Sequence, residues 1–238
     1  MATIKCLGSS SAGNCFIVEC NEQSLVLDLG VSFVDVLSAL EYRIENVVGC
    51  LATHLHKDHS ASIPNALKYA LPVYSCQEVA DKCKGVEMLP LGKKKRIGEF
   101  LVQPIPIEHN VENYGYVITH PDMGKLVFAL DCASFPYKFK DVNHWVIEAN
   151  YDEDLMLNHA CEGIYSQSAS GNHLSIEETI ETLKVNFTED TKTIILAHLS
   201  DGNSDEVDFI ERVKKTLNFS NVYAAKRDFE VPLINDDF

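Results

Sequence analysis

Apolar and polar residues alternate along this chain in two patterns, which predict strands and helices in turn. Short, nearly continuous apolar runs such as residues 47–52 and 193–197 predict buried strands. Apolar residues three and four positions apart over residues 32–42 and 175–187 predict amphipathic helices. The predicted order is strands, helix, strand, helix, a three-stranded meander over residues 100–130, helix, strand, helix and strand. This mixture predicts an α/β fold.

A histidine-rich segment, Thr53-His54-Leu55-His56-Lys57-Asp58-His59, directly follows the first of those apolar runs. It lies where a strand gives way to a helix, which is the usual place for ligands in α/β sheets. His54 and His56 are two residues apart in extended chain, so their side chains should point to the same side. Asp58 and His59 are adjacent, so they more easily serve a different ion. Imidazole and carboxylate ligands suit Zn, Mn or Fe better than Mg or Ca, and the segment predicts two metal ions.

This segment resembles the signature of the metallo-β-lactamase-fold hydrolases, and the rest of that family's pattern follows in order along the chain. His109 follows a strand-like run and resembles the third ligand of the first metal. Asp131 ends an apolar run and resembles the bridging carboxylate, and His198 ends another and resembles the last ligand of the second metal. The resemblance spans about residues 4–225. It implies an α/β fold of the four-layer αββα sandwich type, which we expect to form one domain over residues 1–238.

The resemblance also implies two divalent transition-metal ions, Zn or Mn, and a set of seven protein ligands. Asp28 resembles a buried aspartate that supports the metal-binding loop in this family. Two ions roughly 3.5–4 Å apart can share a water molecule and lower its pKa towards neutrality. They can also clamp the oxygens of a phosphodiester as charge accumulates there. The expected ligands are His54, His56 and His109 for the first ion, Asp58, His59 and His198 for the second, and Asp131 for both.

His173 is the candidate general acid for the leaving oxygen. It lies in a loop just before a predicted helix, and phosphodiesterases of this fold carry a further histidine in a similar place. A histidine pKa near neutrality suits proton transfer, although a solvent-exposed histidine of a capping loop is the alternative. Asp58 is expected to act in catalysis as well as in metal binding. Further candidates for substrate contact lie in the Gly/Ser-rich loop near the N-terminus, in a Glu-x-Asn element that ends a strand, and after His198: Ser10, Asn14, Asn150 and Ser200.

Net charge limits the expected partners. The 238 residues carry 20 Lys and Arg against 35 Asp and Glu, a net charge of −15. A chain this acidic lacks the general positive field that draws proteins to nucleic acid or anionic membranes, so nucleic acid is a disfavoured partner. Two bound cations would reverse the potential locally, and a small phosphodiester is the expected substrate. The one basic run, residues 93–96, is expected to be a solvated hairpin tip, with a phosphate or partner contact as the alternative.

Cysteine usage bears on the expected compartment. None of the eight cysteines forms a C-x-x-C pair, and Cys6, Cys20, Cys50 and Cys132 lie in or beside strand-like runs. They are expected to be small buried hydrophobes in a reducing compartment. We see no secretory signal and no apolar run near the roughly 18 residues of a membrane span, so a cytoplasmic protein without membrane association is expected. This location also counts against antibiotic hydrolysis.

Together these features predict a two-metal phosphodiesterase that acts on a small nucleotide, with a cyclic nucleotide among the candidates. The chain most resembles small cytoplasmic or phage-encoded phosphodiesterases, which include a DNA 5′-exonuclease, cyclic-phosphate phosphodiesterases and phage enzymes that degrade cyclic nucleotide signals. A 5′-exonuclease on DNA or RNA is the first alternative, and it requires a basic groove. A thioester hydrolase of the glyoxalase type is the second and would leave His173 without a role. A non-enzymatic metal-binding protein would leave seven ligands idle.

The oligomeric state is a separate expectation. Relatives of this fold complete their pockets from a neighbouring subunit, so the resemblance implies a homodimer. Residues 229–238 are accordingly expected to form either an acidic tail or an arm that reaches a partner subunit.

Overall fold

The computed structural model describes residues 2–161 and 171–235. The strands are β1 (Ala2–Ser10), β2 (Gly13–Cys20), β3 (Gln23–Leu27), β4 (Val47–Leu51), β5 (Val73–Ser75), β6 (Glu87–Met88), β7 (Lys95–Ile97), β8 (Phe100–Ile107), β9 (Asn113–His120), β10 (Gly124–Ala129), β11 (His144–Glu148), β12 (Thr193–Ala197), β13 (Val222–Ala224) and β14 (Phe229–Leu233). The helices are α1 (Phe33–Ala39), α2 (Lys57–Ser60), α3 (Ile63–Lys68), α4 (Gln77–Lys82), α5 (Glu153–Cys161), α6 (Ile176–Asn186) and α7 (Glu206–Leu217). The predicted meander is therefore present as β8, β9 and β10.

The strands form two seven-stranded mixed sheets. In the first sheet the order is β14-β1-β2-β3-β4-β5-β6, antiparallel as far as β3 and parallel from β3 to β6. In the second the order is β13-β12-β11-β10-β9-β8-β7, parallel as far as β10 and antiparallel from there to β7. Parallel neighbours need long crossover connections, which contain α1 to α4 in the first sheet and α5 to α7 in the second.

Successive residues of the central strands face two different apolar layers. Phe128 of β10 is buried between the sheets, with its ring centroid 5.5 Å from that of Phe16 of β2 in an edge-to-face contact. The next residue back, Val127, faces the other way and belongs to an apolar cluster that includes Leu183 of α6 and Phe209 of α7. This alternation follows from the two-residue period of a strand that is buried on both faces. The result is two sheets packed face to face with helices outside them, which is the predicted αββα architecture.

The candidate ligands all lie just beyond the carboxyl ends of strands. The histidine-rich segment follows β4, and His109, Asp131 and His198 follow β8, β10 and β12. These ends come together at one edge of the sandwich, because the ligand atoms of the candidates lie within a few ångströms of one another. The fold therefore turns a sequence separation of about 145 residues into a single site.

The C-terminal region differs from the expectation. Instead of a tail or a free arm, β14 adds an antiparallel strand to the edge of the first sheet, with Ala2 opposite Leu233. Pro232 is exposed there, and proline is tolerated on an edge strand because no further strand needs its missing N–H. The prediction missed this strand because its apolar alternation covers only five residues and includes a proline, which counts against a strand unless the strand lies at an edge. Residues 236–238 lie outside the described part of the chain.

The described helices are short. The longest, α7, has 12 residues, and none in the described part of the chain is both long and apolar enough to cross a membrane. The division into domains is a separate matter, and a single domain over residues 1–238 stays a prediction.

Candidate metal centre

Seven histidine and aspartate side chains from four separate segments converge beyond the strand ends. They form two groups, and within each group one candidate ligand atom per residue lies within 4.8 Å of all the others. The first group is His54, His56, His109 and Asp131, and the second is Asp58, His59, Asp131 and His198. The structure thus brings together the two sets of residues that the sequence predicts for two ions, while their role as ligands stays a prediction.

Asp131 belongs to both groups, and its two carboxylate oxygens face different ones. Its Oδ2 lies 3.5 Å from Nε2 of His54 and 3.5 Å from Nε2 of His109. Its Oδ1 lies 3.3 Å from Nε2 of His59 and 3.2 Å from Nδ1 of His198. A carboxylate in this position can offer one oxygen to each of two cations, which is what a bridging ligand requires.

Unpartnered polar atoms indicate that these groups fit a cation. Nε2 of His54, Oδ1 of Asp131 and Nε2 of His198 are buried and have no hydrogen-bond partner. Buried polar atoms are almost always hydrogen-bonded, because desolvation without a partner is costly. Imidazole nitrogens and carboxylate oxygens are also the donor set that Zn and Mn accept. The residues present therefore fit divalent transition-metal ions.

Asp28 holds the histidine-rich segment from behind. Its buried Oδ1 accepts hydrogen bonds from the backbone N–H of Thr53 at 2.8 Å and from the Thr53 hydroxyl at 2.9 Å. Its Oδ2 lies 2.7 Å from Nδ1 of His59. With Nδ1 engaged, the ring of His59 presents Nε2 towards Asp131. Carboxylates commonly orient metal-binding histidines in this way, and the contacts are those that the sequence-based prediction for Asp28 requires.

Replacing Asp28 with asparagine should weaken metal binding about 10–100-fold, because the His59 ring loses the carboxylate that orients it. Asparagine tolerates the left-handed backbone of this position (φ 59°), so the fold should be retained. Isothermal titration with Zn or Mn measures the effect, and circular dichroism checks the fold. Asp81→Asn on the exposed side of α4 is the matched control. An unchanged metal affinity in Asp28→Asn would contradict this role.

Three residues of the centre have a left-handed backbone although none is glycine: Asp28 (φ 59°), Asp131 (φ 53°) and His198 (φ 55°). Each follows a strand, where the chain turns sharply. Such conformations cost on the order of 1–3 kcal/mol and cluster at functional sites. Aspartate bears this cost more easily than histidine. The repeated conformation is therefore independent support for a functional centre at these strand ends.

A glycine keeps the second group close to the first hairpin. A Cβ built on Gly30 would lie 1.6 Å from the carbonyl oxygen of Asp58 and 2.7 Å from the backbone nitrogen of Asn14. Any side chain would push these two segments apart. Gly30 therefore fixes the distance between the β1–β2 hairpin and the helix that carries Asp58.

Glu148 joins the second group to His173. This fully buried carboxylate ends β11, and its Oε1 lies 2.6 Å from Nδ1 of His173 and 3.0 Å from Nδ1 of His198. Its Oε2 accepts the backbone N–H groups of Cys132 at 2.7 Å and Leu174 at 3.2 Å. Glu148 begins the Glu-x-Asn element, but no role for its side chain is predicted from the sequence. A glutamate directly after the apolar run Trp145-Val146-Ile147 is the signal that could have found it, since a buried carboxylate needs partners.

In the second group, charges favour protonated histidines opposite ionised carboxylates, whereas burial lowers the pKa of His54 and of His109 in the first group. Burial acts to lower the pKa of His198, but the charge of Asp131, the nearby carboxylate of Asp58 and the hydrogen bond with Glu148 outweigh it and raise the pKa to about 10. Burial acts to raise the pKa of Asp131, but the charges of His59 and His198 hold it well below its usual range. Metal ligands must be deprotonated. Metal binding here should therefore release protons and weaken as the pH falls.

Ser10 and Ser200, two candidates for substrate contact, line one cavity of about 580 Å³. The cavity lies beside the second group, because Leu199 and Ser200 directly follow His198. Ser9 also lines it, and its hydroxyl accepts the backbone N–H of His198 at 2.8 Å. A volume of this size suits a ligand as large as a nucleotide.

Asn14 and Asn150, the other two candidates, contact the metal groups. Nδ2 of Asn14 lies 3.0 Å from Nε2 of His59 and 3.4 Å from Oδ2 of Asp58. Nδ2 of Asn150 donates to the backbone carbonyl of His198 at 2.8 Å. Both side chains are buried, so their described contacts orient the centre. Direct contact of either residue with substrate stays a prediction.

Known proteins share sequence with this chain. No family model matches it. Among curated proteins, it is 28% identical over 225 residues to exodeoxyribonuclease YycJ of Bacillus anthracis, covering 84% of each chain. It is 23% identical over 219 residues to exodeoxyribonuclease WalJ of Streptococcus pneumoniae, covering 83% of this chain and 81% of that protein.

Solved structures share its architecture. The metallo-β-lactamase-fold protein YhfI from Bacillus subtilis matches with a TM-score of 0.74 at 17% identity, over 97% of this chain and 98% of that one. A diphosphatase from the PhnP family matches with a TM-score of 0.69 at 15% identity, over 98% of each chain. The short form of human tRNase Z matches with a TM-score of 0.68 at 13% identity, over 98% of this chain and 100% of that one.

The chain therefore has the metallo-β-lactamase fold, and the predicted αββα architecture is confirmed. The curated relatives and several of the structural neighbours have names that describe nucleases and phosphatases. The comparisons thus support the predicted class, a metal-dependent hydrolase of this fold.

Proposed function

We propose that the chain is a phosphodiesterase that uses two divalent transition-metal ions, Zn or Mn, to hydrolyse a phosphodiester of a nucleotide. The observation that carries this proposal is the position of Asp131, whose two oxygens face two separate groups of imidazole and carboxylate ligands. A further histidine, His173, lies beside these groups, with its ring centroid 5.2 Å from that of His198. Two metal sites with an adjacent proton donor are the parts that phosphodiester hydrolysis needs.

The ions, when bound, would supply a water molecule of lowered pKa and positive charge that stabilises the phosphoryl oxygens. Asp131 and the histidines of both groups would hold them. Asp58 is the most exposed ligand of the second group, at 20% of its side-chain surface. It is thus placed to orient water.

Asp58 is a poor base in this position. Burial acts to raise the pKa of its carboxyl, but the nearby imidazoles of His198 and His59 outweigh burial and hold the pKa well below its usual range. A carboxylate that stays ionised can accept a hydrogen bond from water without taking its proton. We therefore assign Asp58 the orientation of the attacking water in addition to metal binding.

His173 would protonate the leaving oxygen. The carboxylate of Glu148 accepts a hydrogen bond from the Nδ1–H group of His173. Nε2 of the same ring therefore carries the proton that is transferred to the leaving oxygen. Burial acts to lower the pKa of His173, but the hydrogen bond and charge of Glu148 outweigh it and raise the pKa. A raised pKa extends upward the range of pH over which this histidine carries the proton that a general acid donates.

The cavity beside the second group would receive the substrate. It offers the hydroxyl groups of Ser10 and Ser200. Lys226 and Arg227 also line it, each paired with a carboxylate of the same lining, Glu206 and Asp35 respectively. Its volume of about 580 Å³ suits a mononucleotide or a cyclic nucleotide better than a bulky duplex. This cavity supports a small phosphodiester as the substrate.

An exonuclease is the second candidate function. Both curated relatives named above are exodeoxyribonucleases, and a mononucleotide released from a strand end would fit the same cavity. A thioester hydrolase of the glyoxalase type gains no support from the site, because it would leave the Glu148–His173 pair without a role. The two proposed activities, on a small nucleotide and on a nucleic acid strand, differ only in the length of the substrate.

The state of the cysteines supports our proposal that the protein is cytoplasmic. Of the eight cysteines, the seven whose side chains the structure describes are free, and six of these are buried. Burial raises the pKa of Cys15, Cys50 and Cys132, which keeps these thiols protonated and unreactive. Free thiols in this number suit a reducing compartment.

Turnover of bis-p-nitrophenyl phosphate, of cyclic mononucleotides and of a fluorescent single-stranded DNA tests the proposal. We expect hydrolysis that depends on added Mn or Zn and that is lost after treatment with a chelator. Preference for cyclic mononucleotides would support a phosphodiesterase of small nucleotides, and preference for DNA would support an exonuclease. Inactivity on all three substrates with every metal would contradict the proposed function.

Glu148→Gln should shift the alkaline limb of the activity profile to lower pH. His173 must be protonated to act, so activity falls as the pH rises through its pKa. Removing the charge of Glu148 lowers that pKa, and the fall should begin at a lower pH. A pH series of kcat for a nucleotide substrate measures the shift, with the exposed Glu189→Gln as control. An alkaline limb at the wild-type position would contradict the assignment.

A further inference from the structure

A second cavity lies on the outer face of the second sheet, away from the metal centre. Its volume is about 320 Å³. The floor comes from β8 and β9, whose alternate residues Val102 and Ile118 point inward to the core. The residues that line it are Lys94, Leu101, Gln103, Val117, Thr119, Lys125, Lys138, Phe139, Lys140 and Asp141. We call it the lysine groove.

The lysine groove is basic although the protein is acidic. Four lysines and one aspartate line it, whereas the whole chain has 20 basic and 35 acidic residues. Within the described residues, no ion pair involves Lys94, Lys138 or Lys140, whereas Lys5 and Lys184 pair with glutamates. Like charges brought together repel one another unless an anion lies between them. The groove is therefore complementary to an anionic ligand.

A hydrogen bond holds one of these lysines, Lys125, in place within the groove. Nζ of Lys125 donates to the backbone carbonyl of Lys140 at 2.6 Å. This bond fixes the segment of residues 138–140 against the start of β10. The basic rim is thus held on the sheet.

An aromatic ring lies among the lysines. Phe139 stands between Lys138 and Lys140 in sequence, is only partly buried and lines the groove. Its ring is stacked on that of Tyr137, with centroids 5.8 Å apart and planes 24° from parallel, and it also packs near Trp145 at 6.4 Å. The ring is therefore supported from behind while part of it faces the groove.

Lysines and a partly exposed, supported aromatic ring in one groove are the combination that binds single-stranded nucleic acid, with cations at the phosphates and a base on the ring. We propose that the lysine groove binds the sugar-phosphate backbone of a single nucleic acid strand, with a base against Phe139. A free phosphate would use the lysines but not the ring.

The distance between the lysine groove and the metal centre sets how long a nucleic acid strand must be to reach from one to the other. Gln103, on its floor, lies six residues before His109 along β8 and the turn that follows. At ~3.3 Å per residue, this separates the groove from the metal centre by about 20 Å. At the ~3.4 Å phosphate spacing of a stacked strand, that is about six nucleotides. Binding at the groove does not depend on hydrolysis, so the proposal goes beyond the proposed function.

Fluorescence anisotropy with a labelled 20-nucleotide oligo(dT), measured at several salt concentrations, tests the proposal. The variant Lys94→Gln/Lys138→Gln/Lys140→Gln removes three charges from the groove. The matched control, Lys68→Gln/Lys82→Gln/Lys84→Gln, removes three exposed charges, from α3, from α4 and from the turn that follows α4. We expect the groove variant to bind at least about tenfold more weakly at low salt and to reduce the slope of log affinity against log salt by about 2. The control should stay within about twofold of wild type.

Several results would overturn the proposal. They are equal losses in the two triple variants, an unchanged salt slope in the groove variant, and tighter binding to a duplex than to the single strand. No measurable binding of the strand to wild type would overturn it as well. Turnover of bis-p-nitrophenyl phosphate is measured in parallel and should be unchanged in both variants. Failure of the groove proposal is thereby separated from failure of the proposed function, which that turnover reports.

Discussion

Asp131→Asn should remove at least one metal ion from the protein and lower turnover on the order of 10³-fold or more. The amide is nearly the same size and tolerates the left-handed backbone at this position (φ 53°). It carries no negative charge, and only one of its two polar atoms can accept a cation. The variant would therefore lack the carboxylate that offers one oxygen to the group of His54 and the other to the group of His59.

Metal content after gel filtration and kcat for bis-p-nitrophenyl phosphate measure this effect together. Asp81→Asn, exposed on α4, controls for the loss of one negative charge. Full metal content with turnover within about tenfold of wild type would show that Asp131 does not bridge the two groups.

His173→Ala should have an effect that depends on the leaving group. For a nucleotide diester, whose leaving oxygen is a strongly basic alkoxide, loss of the general acid should lower kcat by about 10²–10⁴-fold. For bis-p-nitrophenyl phosphate, whose leaving group is stable as an anion, the loss should be less than about tenfold, because no proton is needed. The comparison distinguishes a proton donor from a residue that only shapes the site.

The neighbouring Asn172→Ala is the matched control for His173→Ala. Asn172 contacts His109 through its backbone carbonyl, at 3.1 Å, so removal of its side chain keeps that contact. Equal losses for both substrates in His173→Ala would assign this histidine to structure or to substrate binding and would contradict the general-acid role.

The sequence was most informative where function is encoded locally. Four of the candidate ligands lie within six residues, from His54 to His59, directly after a continuous apolar strand. The other three each follow a strand end, so a single rule about strand ends finds them all. The structure brings these residues together as expected, because parallel and mixed sheets align such ends at one edge.

Glu148 could not be found by that rule. Its partners His173 and His198 are 25 and 50 residues away, and only the fold places them against one carboxylate. The strand β14 was missed for a different reason. Its residues do alternate between apolar and exposed positions, but Pro232 counts against a strand unless the strand lies at a sheet edge, and only the fold places β14 at an edge.

The lysine groove could not be predicted from the sequence either, because its charges come from separate segments. The sequence contains one basic run at residues 93–96, and by itself that run predicts a solvated turn. The fold adds Lys125, Lys138 and Lys140 from two other segments and places an aromatic ring beside them. Net charge therefore described the average of the surface and not this part of it.

The central claim is that seven side chains hold two metal ions with Asp131 between them. Anomalous diffraction from crystals of the metal-loaded protein, recorded at the absorption edge of Zn, tests it directly. We predict two strong anomalous peaks, one beside Nε2 of His54 and one beside Nε2 of His59, with the carboxylate of Asp131 contacting both. A single peak, or none, at full metal saturation would contradict the account.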